Sequence, residues 1–221
     1  MAIIETQKLD KGLFGLWKIT EEVEELLPLA NLSSPDLEKW SAIKSIQRKK
    51  EWLATRALLN ELTGKVTQIS YHPDGRPFLN DLKTNISISH TKGYAAILLY
   101  ETTIPGVDIE LDSRSAEKVA TRILSPEELD SCRENEGYSN KKILVHWCAK
   151  EVIFKIVPEH SVSYLNQIHI SFNGSIDESH CFPGTFQSEA GLVSINLFYK
   201  SIEDLIIVWG WVNKSSKRRP D

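Results

Sequence analysis

The chain has few cysteines and no long apolar run, so it lacks the features that build disulfide frameworks, zinc sites and membrane spans. Its cysteines number three in 221 residues, and they lie far apart without the spacing of metal ligands: Cys132, Cys148 and Cys181. This usage fits a reducing compartment and predicts neither a disulfide framework nor a zinc site. No stretch approaches the ~18 apolar residues of a membrane span. The start of the chain, Met1–Thr6, also lacks the basic region of a secretory signal, so we expect a cytoplasmic protein with no membrane partner.

The chain is not basic either. The formal net charge is -4, which argues against non-specific nucleic-acid binding, and we expect no nucleic-acid partner. The tail Asn213–Asp221 is polar and basic; it predicts a frayed end, with contact to nucleic acid or an acidic partner as the alternative. With 41% hydrophobic and 25% charged residues, the composition is ordinary for one large globular domain or two small ones.

One short stretch, Gly106–Glu110, carries two acids in alternation with apolar residues. Side chains alternate along a strand, so Asp108 and Glu110 would share one face with their backbones roughly 7 Å apart. Two carboxylates on one face can close around a hard cation. Mg²⁺ in proteins usually takes one or two carboxylates together with the phosphates of a substrate. The pattern therefore indicates a metal site for phosphate chemistry, and a solvated strand end is the alternative.

A third acid lies on a predicted helix further along the chain. The segment Lys141–Ile156 contains no Gly or Pro, and its spacing places Leu144, Cys148, Glu151 and Lys155 on one face. The alternative interpretation is a surface pair of Glu and Lys, which stabilises a helix by only a few tenths of a kcal/mol. Because the rest of the helix is largely apolar, we expect the acid and the lysine to project together into a site.

Two further motifs place polar side chains at fixed positions. The turn Pro73–Gly75 would hold Arg76 just beyond a strand, and the alternating strand 85–89 ends at Ser89 and His90. Strand ends are places where proteins often present groups to a ligand. The alternative for both motifs is an exposed side chain with no function.

The remaining pattern predicts a chain in two halves with a boundary near Thr103. In the first half we predict a strand over Gly12–Ile19, an acidic helix over Glu21–Leu27 that breaks at Pro28, helix in two pieces over Pro35–Thr63, and strands over Ile69–His72 and Tyr94–Tyr100, the last after a turn at Thr91–Gly93. In the second half we predict a helix over Ser115–Glu136 and strands over Gln167–Phe172, Gly191–Tyr199 and Leu205–Val212.

Four of these motifs together resemble a known family. They are Gly75–Leu79, Asn85–Thr91, Gly106–Glu110 and Trp147–Lys155. In this order and at this spacing they are similar to those of the 4'-phosphopantetheinyl transferases, in particular the larger, Sfp-like class in which one chain is pseudo-dimeric. The resemblance covers about Arg48 to Lys155.

The resemblance implies an α+β fold of two similar subdomains, related by a pseudo-twofold axis, with the active site in the cleft between them. Residues 1–103 would form the subdomain that contacts the nucleotide of coenzyme A. Residues 104–221 would form the subdomain that carries the metal and catalytic residues. A chain of this class is expected to be a monomer.

The resemblance also implies a role for each matching residue. Asp108, Glu110 and Glu151 would hold Mg²⁺, with Mn²⁺ as a possible replacement, and Glu151 and Lys155 would be catalytic. Coenzyme A would be held by a larger set: Arg48, Arg56, Gly75, Arg76, Pro77, Ser89, His90 and Lys155. Two positions depart from the family's pattern. Arg76 stands where lysine is usual, which keeps the charge and adds a planar fork suited to phosphate, and Ser87 stands where asparagine is more frequent.

The implied reaction is transfer of the 4'-phosphopantetheine arm of coenzyme A to a serine of an apo acyl or peptidyl carrier protein, with release of 3',5'-ADP. Two alternatives remain at this point. A metal-dependent phosphodiesterase or nuclease could use the same three acids, and a carrier-protein binding module would need no catalysis at all. The sequence does not specify whether the carrier serves fatty-acid, polyketide or peptide synthesis.

Overall fold

The computed structural model describes residues 3–80, 82–135, 137–157, 162–172 and 179–212. The chain divides into two compact units, Met1–Thr102 and Thr103–Asp221. The basic tail from Asn213 onward lies outside the described residues, so the frayed end predicted for it stays a prediction.

The first unit combines helices with a four-stranded antiparallel sheet. Its elements are β1 (Ile3–Lys8), β2 (Gly12–Lys18), α1 (Val23–Ala30), α2 (Ser34–Ser41), α3 (Ile46–Thr63), β3 (Ile69–Tyr71), β4 (Pro77–Leu79), β5 (Asn85–Thr91) and β6 (Tyr94–Tyr100). The main sheet has the order β1-β2-β6-β5, and β3 pairs with β4 in a separate two-stranded sheet. One face of the main sheet packs on α3, which buries Leu53, Leu58 and Leu59. The strand predictions for β2, β3, β5 and β6 and the split of 35–63 into two helices are confirmed.

Two details of this unit differ from the sequence prediction. Strand β1 was not predicted, because its side chains are a polar mixture at the edge of the sheet. Pro28 lies inside α1 instead of ending it. The helix continues because Leu26 and Ala30 are buried in the core, and because the Asn60 side chain donates to the carbonyls of Leu29 and Ala30, at 3.3 and 3.0 Å.

The second unit is built on a five-stranded antiparallel sheet in the order β10-β11-β12-β13-β7. Its elements are β7 (Pro105–Leu111), α4 (Glu117–Ile123), α5 (Pro126–Ser131), β8 (Arg133–Glu134), β9 (Gly137–Tyr138), α6 (Asn140–Ile156), β10 (Ile168–Ile170), β11 (His180–Ser188), β12 (Gly191–Ile202) and β13 (Leu205–Val212). Helix α6 packs on β7 and β13 over a large apolar core. The predictions of β7, α6, β10, β12 and β13 are confirmed.

The single helix predicted over Ser115–Glu136 is wrong. The backbone is extended at Leu124, and a new helix begins after Ser125, whose side chain accepts from the backbone of Glu128 while the Glu128 side chain accepts from the backbone of Ser125. This capping box, followed by Pro126, starts a helix more strongly than the apolar periodicity continues the previous one. Strand β11 was also missed, because Pro183 and its neighbouring glycine read as turn residues.

The mixture of helices and antiparallel sheets in each unit confirms the α+β class. The pseudo-twofold relation between the two units stays a prediction. Within the described ranges, none of the helices is both long and apolar enough to cross a membrane.

Candidate active site

Strand β7 presents two nearly buried acids. Asp108 is 7% exposed and Glu110 is 9% exposed, and both lie two residues apart on the strand. The alternate residues Val107 and Ile109 are fully buried apolar side chains. The strand therefore forms as the alternation predicted, with its two acids on one face.

Helix α6 lies unusually close to this strand because residue 106 is glycine. A Cβ placed on Gly106 would lie 2.5 Å from the carbonyl oxygen of Val152, a distance that packed side chains do not adopt. The missing side chain lets the backbone of the helix rest against the backbone of β7. As a result, Glu151 and Lys155, which flank this contact on the helix, reach the acids of the strand.

Lys155 connects the helix to the strand through hydrogen bonds. Its Nζ donates to Asp108 Oδ1 at 2.9 Å and to the carbonyl oxygen of Val107 at 2.8 Å, and the side chain is 27% exposed. Cys148, two turns earlier on the same face of the helix, is hydrogen-bonded to Asp108. Burial, and then the charge of Asp108, raise the pKa of the Cys148 thiol well above its ordinary value, so the sulfur stays protonated and is a poor nucleophile.

Glu151 lies in a partly buried position beside Asp108. Burial raises the pKa of the Glu151 carboxyl above its ordinary value, and the charge of Asp108 raises it further. The positive charges of Lys155 and Arg114 act in the opposite direction, as does a hydrogen bond that Tyr164 Oη donates to Glu151 Oε1 at 3.1 Å. A carboxyl group with this balance of effects is more basic than a solvated glutamate, as a general base requires.

This pKa shift predicts a stability effect that is independent of any reaction. A carboxyl group whose pKa is raised in the folded state destabilises the fold once it is ionised, and the penalty disappears below its unfolded pKa. Glu151→Gln should therefore melt at a higher temperature than the wild type at about pH 8 in EDTA. The difference should vanish as the pH falls below the ordinary glutamate value of 4.5. Thermal unfolding curves across this pH range measure the effect, and a Glu151→Gln variant that is less stable than the wild type at pH 8 would contradict it.

Glu110 is held by an arginine that none of the sequence motifs includes, Arg114. Arg114 Nη1 forms an ion pair with Glu110 Oε1, and the guanidinium lies over the ring of Trp147 with 4.7 Å to the centroid. The loop that carries Arg114 is fixed by Asn140 at the start of α6. Its Nδ2 donates to the carbonyls of residues 112 and 114, and its Oδ1 accepts from the backbone of residue 116. No local pattern marks Arg114, because its partners lie on a strand and a helix that only the fold brings together.

The predicted metal site is not preformed. Across the described ranges, no three His, Cys, Asp or Glu side chains are gathered so that they could hold a metal ion as they stand. Lys155 holds Asp108 and Arg114 holds Glu110, so two of the three acids are balanced by cationic side chains. The donor set itself fits Mg²⁺, since the acids supply only hard oxygen ligands and both cationic partners are partly exposed side chains that can move. Magnesium binding stays a prediction.

In the first unit, Arg48 and His90 share one acid. Glu51 Oε2 lies 3.3 Å from Arg48 Nη1 and 3.7 Å from His90 Nε2, while Gln47 donates to the other oxygen of the same carboxylate at 3.0 Å. Arg48 projects from the surface of α3 and His90 comes from β5. Ser89, which precedes the histidine, is buried. The fold thus brings together two of the residues predicted to hold coenzyme A.

Arg76 follows the tight turn between β3 and β4. Gly75 has a φ of 86°, a conformation that residues with a side chain rarely adopt, and Pro77 begins β4. Asp74 Oδ2 accepts from Arg76 Nε at 2.6 Å, and its Oδ1 accepts from the backbone of Arg76 at 3.0 Å. The backbone hydrogen bond, assisted by the guanidinium, lowers the pKa of the Asp74 carboxyl. The turn therefore fixes a cationic side chain in a partly exposed position, as the sequence predicted.

Arg56 has a different environment from the other basic residues of α3. Its side chain is only 4% exposed; Nη2 lies 3.7 Å from Asp36 Oδ1 on α2, and Nη1 donates to the carbonyl of Trp52 at 3.3 Å. Burial lowers the pKa of Arg56 to about 10, so it remains charged at neutral pH. These contacts join α2 to α3. The coenzyme A contact predicted for Arg56 stays untested, and the structure offers a structural role for this residue.

Lys150 is a second residue with a role that the sequence did not reveal. Its side chain is fully buried, and its Nζ lies 2.7 Å from Glu128 Oε2 while donating to the carbonyls of Tyr164 at 2.7 Å and Ile168 at 3.0 Å. Burial lowers the pKa of Lys150, and Glu128 raises it. Lys150 therefore anchors the segment that carries Tyr164 to the helix that carries Glu151.

The segment that carries Asp108, Glu151 and Lys155 also matches a known family. The family model described as the 4'-phosphopantetheinyl transferase superfamily matches residues 105–195, which include all of β7, α6 and the residues around Tyr164 but less than half of the chain. No curated protein matches the chain. The match supports a phosphopantetheinyl transferase in general, a class of enzyme that uses coenzyme A as a substrate.

Proposed function

We propose that this chain transfers the 4'-phosphopantetheine arm of coenzyme A to a serine of an apo acyl or peptidyl carrier protein. The observation that carries the proposal is the grouping of Asp108, Glu151 and Lys155 where β7 and α6 meet, inside the segment that matches the family model. Acids beside a lysine suit a reaction in which charge develops on phosphate and little covalent chemistry is required of the protein.

In the proposed reaction, the serine oxygen of the carrier protein attacks the β-phosphorus of coenzyme A. A new phosphorus–oxygen bond forms, the bond from this phosphorus to the bridging oxygen of the pyrophosphate breaks, and 3',5'-ADP leaves with the electron pair. Glu151 accepts the serine proton, a role that its raised pKa favours. Lys155 already donates to an acidic oxygen at 2.9 Å and can donate to a phosphate oxygen as negative charge grows there.

Asp108, Glu110 and Glu151 are the residues that would hold Mg²⁺ or Mn²⁺. When bound, such an ion would supply positive charge to neutralise the pyrophosphate. Arg48, Arg76, Ser89 and His90 are proposed to hold the nucleotide end of coenzyme A, with Gly75 and Pro77 shaping the turn that fixes Arg76. We do not assign a coenzyme A contact to Arg56, whose side chain is buried against Asp36 and Trp52.

Arg76→Ala should weaken binding of coenzyme A more than it slows the chemical step. The side chain is proposed to contact the 3'-phosphate, which is remote from the reacting bond. A charge-assisted phosphate contact contributes roughly 1.5 to 3 kcal/mol, so KM should rise about 10- to 100-fold with a small change in kcat. Steady-state kinetics with coenzyme A and with dephospho-coenzyme A measure the effect. The wild type should prefer the former and the variant should hardly distinguish them, whereas equal preference in both proteins would assign the contact to another residue.

Arg114→Ala should tighten the binding of a divalent cation in the absence of coenzyme A. Arg114 competes with the metal for Glu110, and a half-exposed ion pair contributes on the order of 1 kcal/mol, so the Kd for Mn²⁺ should fall about 3- to 10-fold. Isothermal titration with Mn²⁺ measures this directly. Arg133→Ala is the matched control, because Arg133 pairs with Asp130 on the surface and should leave the Kd unchanged. Weaker Mn²⁺ binding by Arg114→Ala would contradict the competition.

The function is tested by incubating the protein with coenzyme A, Mg²⁺ and an apo carrier protein and then measuring the intact mass of the carrier. The proposal predicts a mass gain of one phosphopantetheine arm, located on a single serine by peptide mapping and abolished by EDTA. Hydrolysis of coenzyme A or of a nucleic acid without a mass gain would favour a phosphodiesterase or nuclease. Binding of the carrier with no chemical change would favour a binding module.

A further inference from the structure

Tyr164 is held at both of its polar ends by two consecutive residues of α6. Its phenol Oη donates to Glu151 Oε1 at 3.1 Å, and its backbone carbonyl accepts from Lys150 Nζ at 2.7 Å. Glu151 is the acid proposed to accept the proton of the carrier's serine, and Lys150 is its neighbour along the chain. Together, Lys150 and Glu151 clamp Tyr164 through its backbone and its hydroxyl.

The backbone end of the clamp is part of a wider buried network. Lys150 is fully buried and pairs with Glu128, whose two oxygens also accept from the backbones of Ser125 and Ile170, each at 2.8 Å. The position of the Tyr164 carbonyl is therefore tied to α5 and β10. Displacing a buried polar group whose hydrogen bonds are all made costs a large free energy.

The ring of Tyr164 is restrained as well. It stacks on Phe154 with 5.7 Å between ring centroids and 26° between ring planes. Phe154 lies one residue before Lys155 on α6, so the stack adds a third contact between the tyrosine and the same helix. With its carbonyl, ring and hydroxyl all engaged, the side chain has little freedom to reorient.

We propose that Tyr164 is a positioning residue that fixes the Glu151 carboxylate for proton transfer, an inference that rests on the proposed function. By donating to Oε1, the phenol orients the carboxylate so that its second oxygen is presented to the serine of the carrier.

The test is a double-mutant cycle between Tyr164→Phe and Glu151→Gln. Phenylalanine removes one oxygen but keeps the ring that stacks on Phe154 and the carbonyl that Lys150 holds. We expect Tyr164→Phe to lower kcat about 10-fold or more, in the range of a lost hydrogen bond to a charged group, while KM for coenzyme A changes less than about twofold. In the Glu151→Gln background, the same substitution should change the rate by less than about twofold.

A matched control and a binding measurement separate this role from a general loss of structure. Tyr138→Phe, at an exposed tyrosine of β9, should leave kcat unchanged. Tyr164→Phe should also weaken Mn²⁺ binding without coenzyme A by about threefold or more, since a carboxylate that is no longer oriented is a poorer ligand. This second readout does not depend on turnover.

Each outcome has a definite meaning. Transfer by the wild type together with full kcat in Tyr164→Phe would overturn the positioning role and leave the proposed function intact. An equal loss in both Glu151 backgrounds would also overturn it, because the tyrosine would then act independently of the carboxylate. Absence of transfer by the wild type would overturn the proposed function, and the inference with it.

Discussion

Asp108→Ala and Glu151→Gln should each lower the rate of phosphopantetheine transfer by at least ~100-fold, which corresponds to about 2.7 kcal/mol of barrier. The first substitution removes the carboxylate that accepts a hydrogen bond from Lys155 Nζ at 2.9 Å, and the second removes the proposed base. Single-turnover assays at saturating coenzyme A and Mg²⁺ measure the loss in the chemical step.

Asp112→Asn is the matched control for these variants. Asp112 follows the same strand but pairs with Lys141 at the surface, with 3.4 Å between Oδ2 and Nζ, and its substitution should change the rate less than about twofold. If Asp108→Ala or Glu151→Gln kept near-normal turnover at saturating Mg²⁺, the assignment of the site to these acids would be wrong.

Lys150→Met should strongly lower the free energy of unfolding. The substitution leaves Glu128 charged and buried without its partner, and breaking a buried pair in this way costs about 3–5 kcal/mol. For a chain of this length, that corresponds to a fall in Tm of roughly 10 °C, or more at the upper end. Differential scanning calorimetry or a urea titration measures the change.

Two further variants decide whether the unpaired charge is the cause. Lys141→Met removes a surface lysine and should change the free energy of unfolding by less than about 1 kcal/mol. Lys150→Met combined with Glu128→Met removes both charges and should recover part of the loss, since apolar residues can replace a buried ion pair. The double variant could instead be clearly less stable than Lys150→Met. In that case the hydrogen bonds that Glu128 accepts would contribute more to stability than its unpaired charge takes away.

The strand β7 and the helix α6 could be predicted because their signals are local. Alternation of acids and apolar residues places Asp108 and Glu110 on one face, and a long segment without Gly or Pro gives helical spacing to Glu151 and Lys155. Predictions failed where a second local signal or tertiary packing overrides the first signal. The capping box at Ser125 interrupts an apolar helical pattern, and tertiary packing carries α1 past Pro28.

The contacts that organise the site could not be predicted, because each joins residues that are distant in sequence or lie in loops. Arg114 reaches Glu110 from a loop that Asn140 holds, and Tyr164 reaches Glu151 from a segment whose backbone Lys150 holds. The sequence also placed three acids together without showing that Lys155 and Arg114 balance two of them. A motif identifies which residue types are present, whereas their partners depend on the fold.

The central claim is tested most directly by measuring two products in one time course: 3',5'-ADP released and phosphopantetheine arms gained by the carrier protein. The proposed reaction predicts a ratio of one to one at every time point, with both products abolished when the carrier's serine is replaced by alanine. Release of 3',5'-ADP without modification of the carrier, or continued release with the alanine variant, would contradict the transfer.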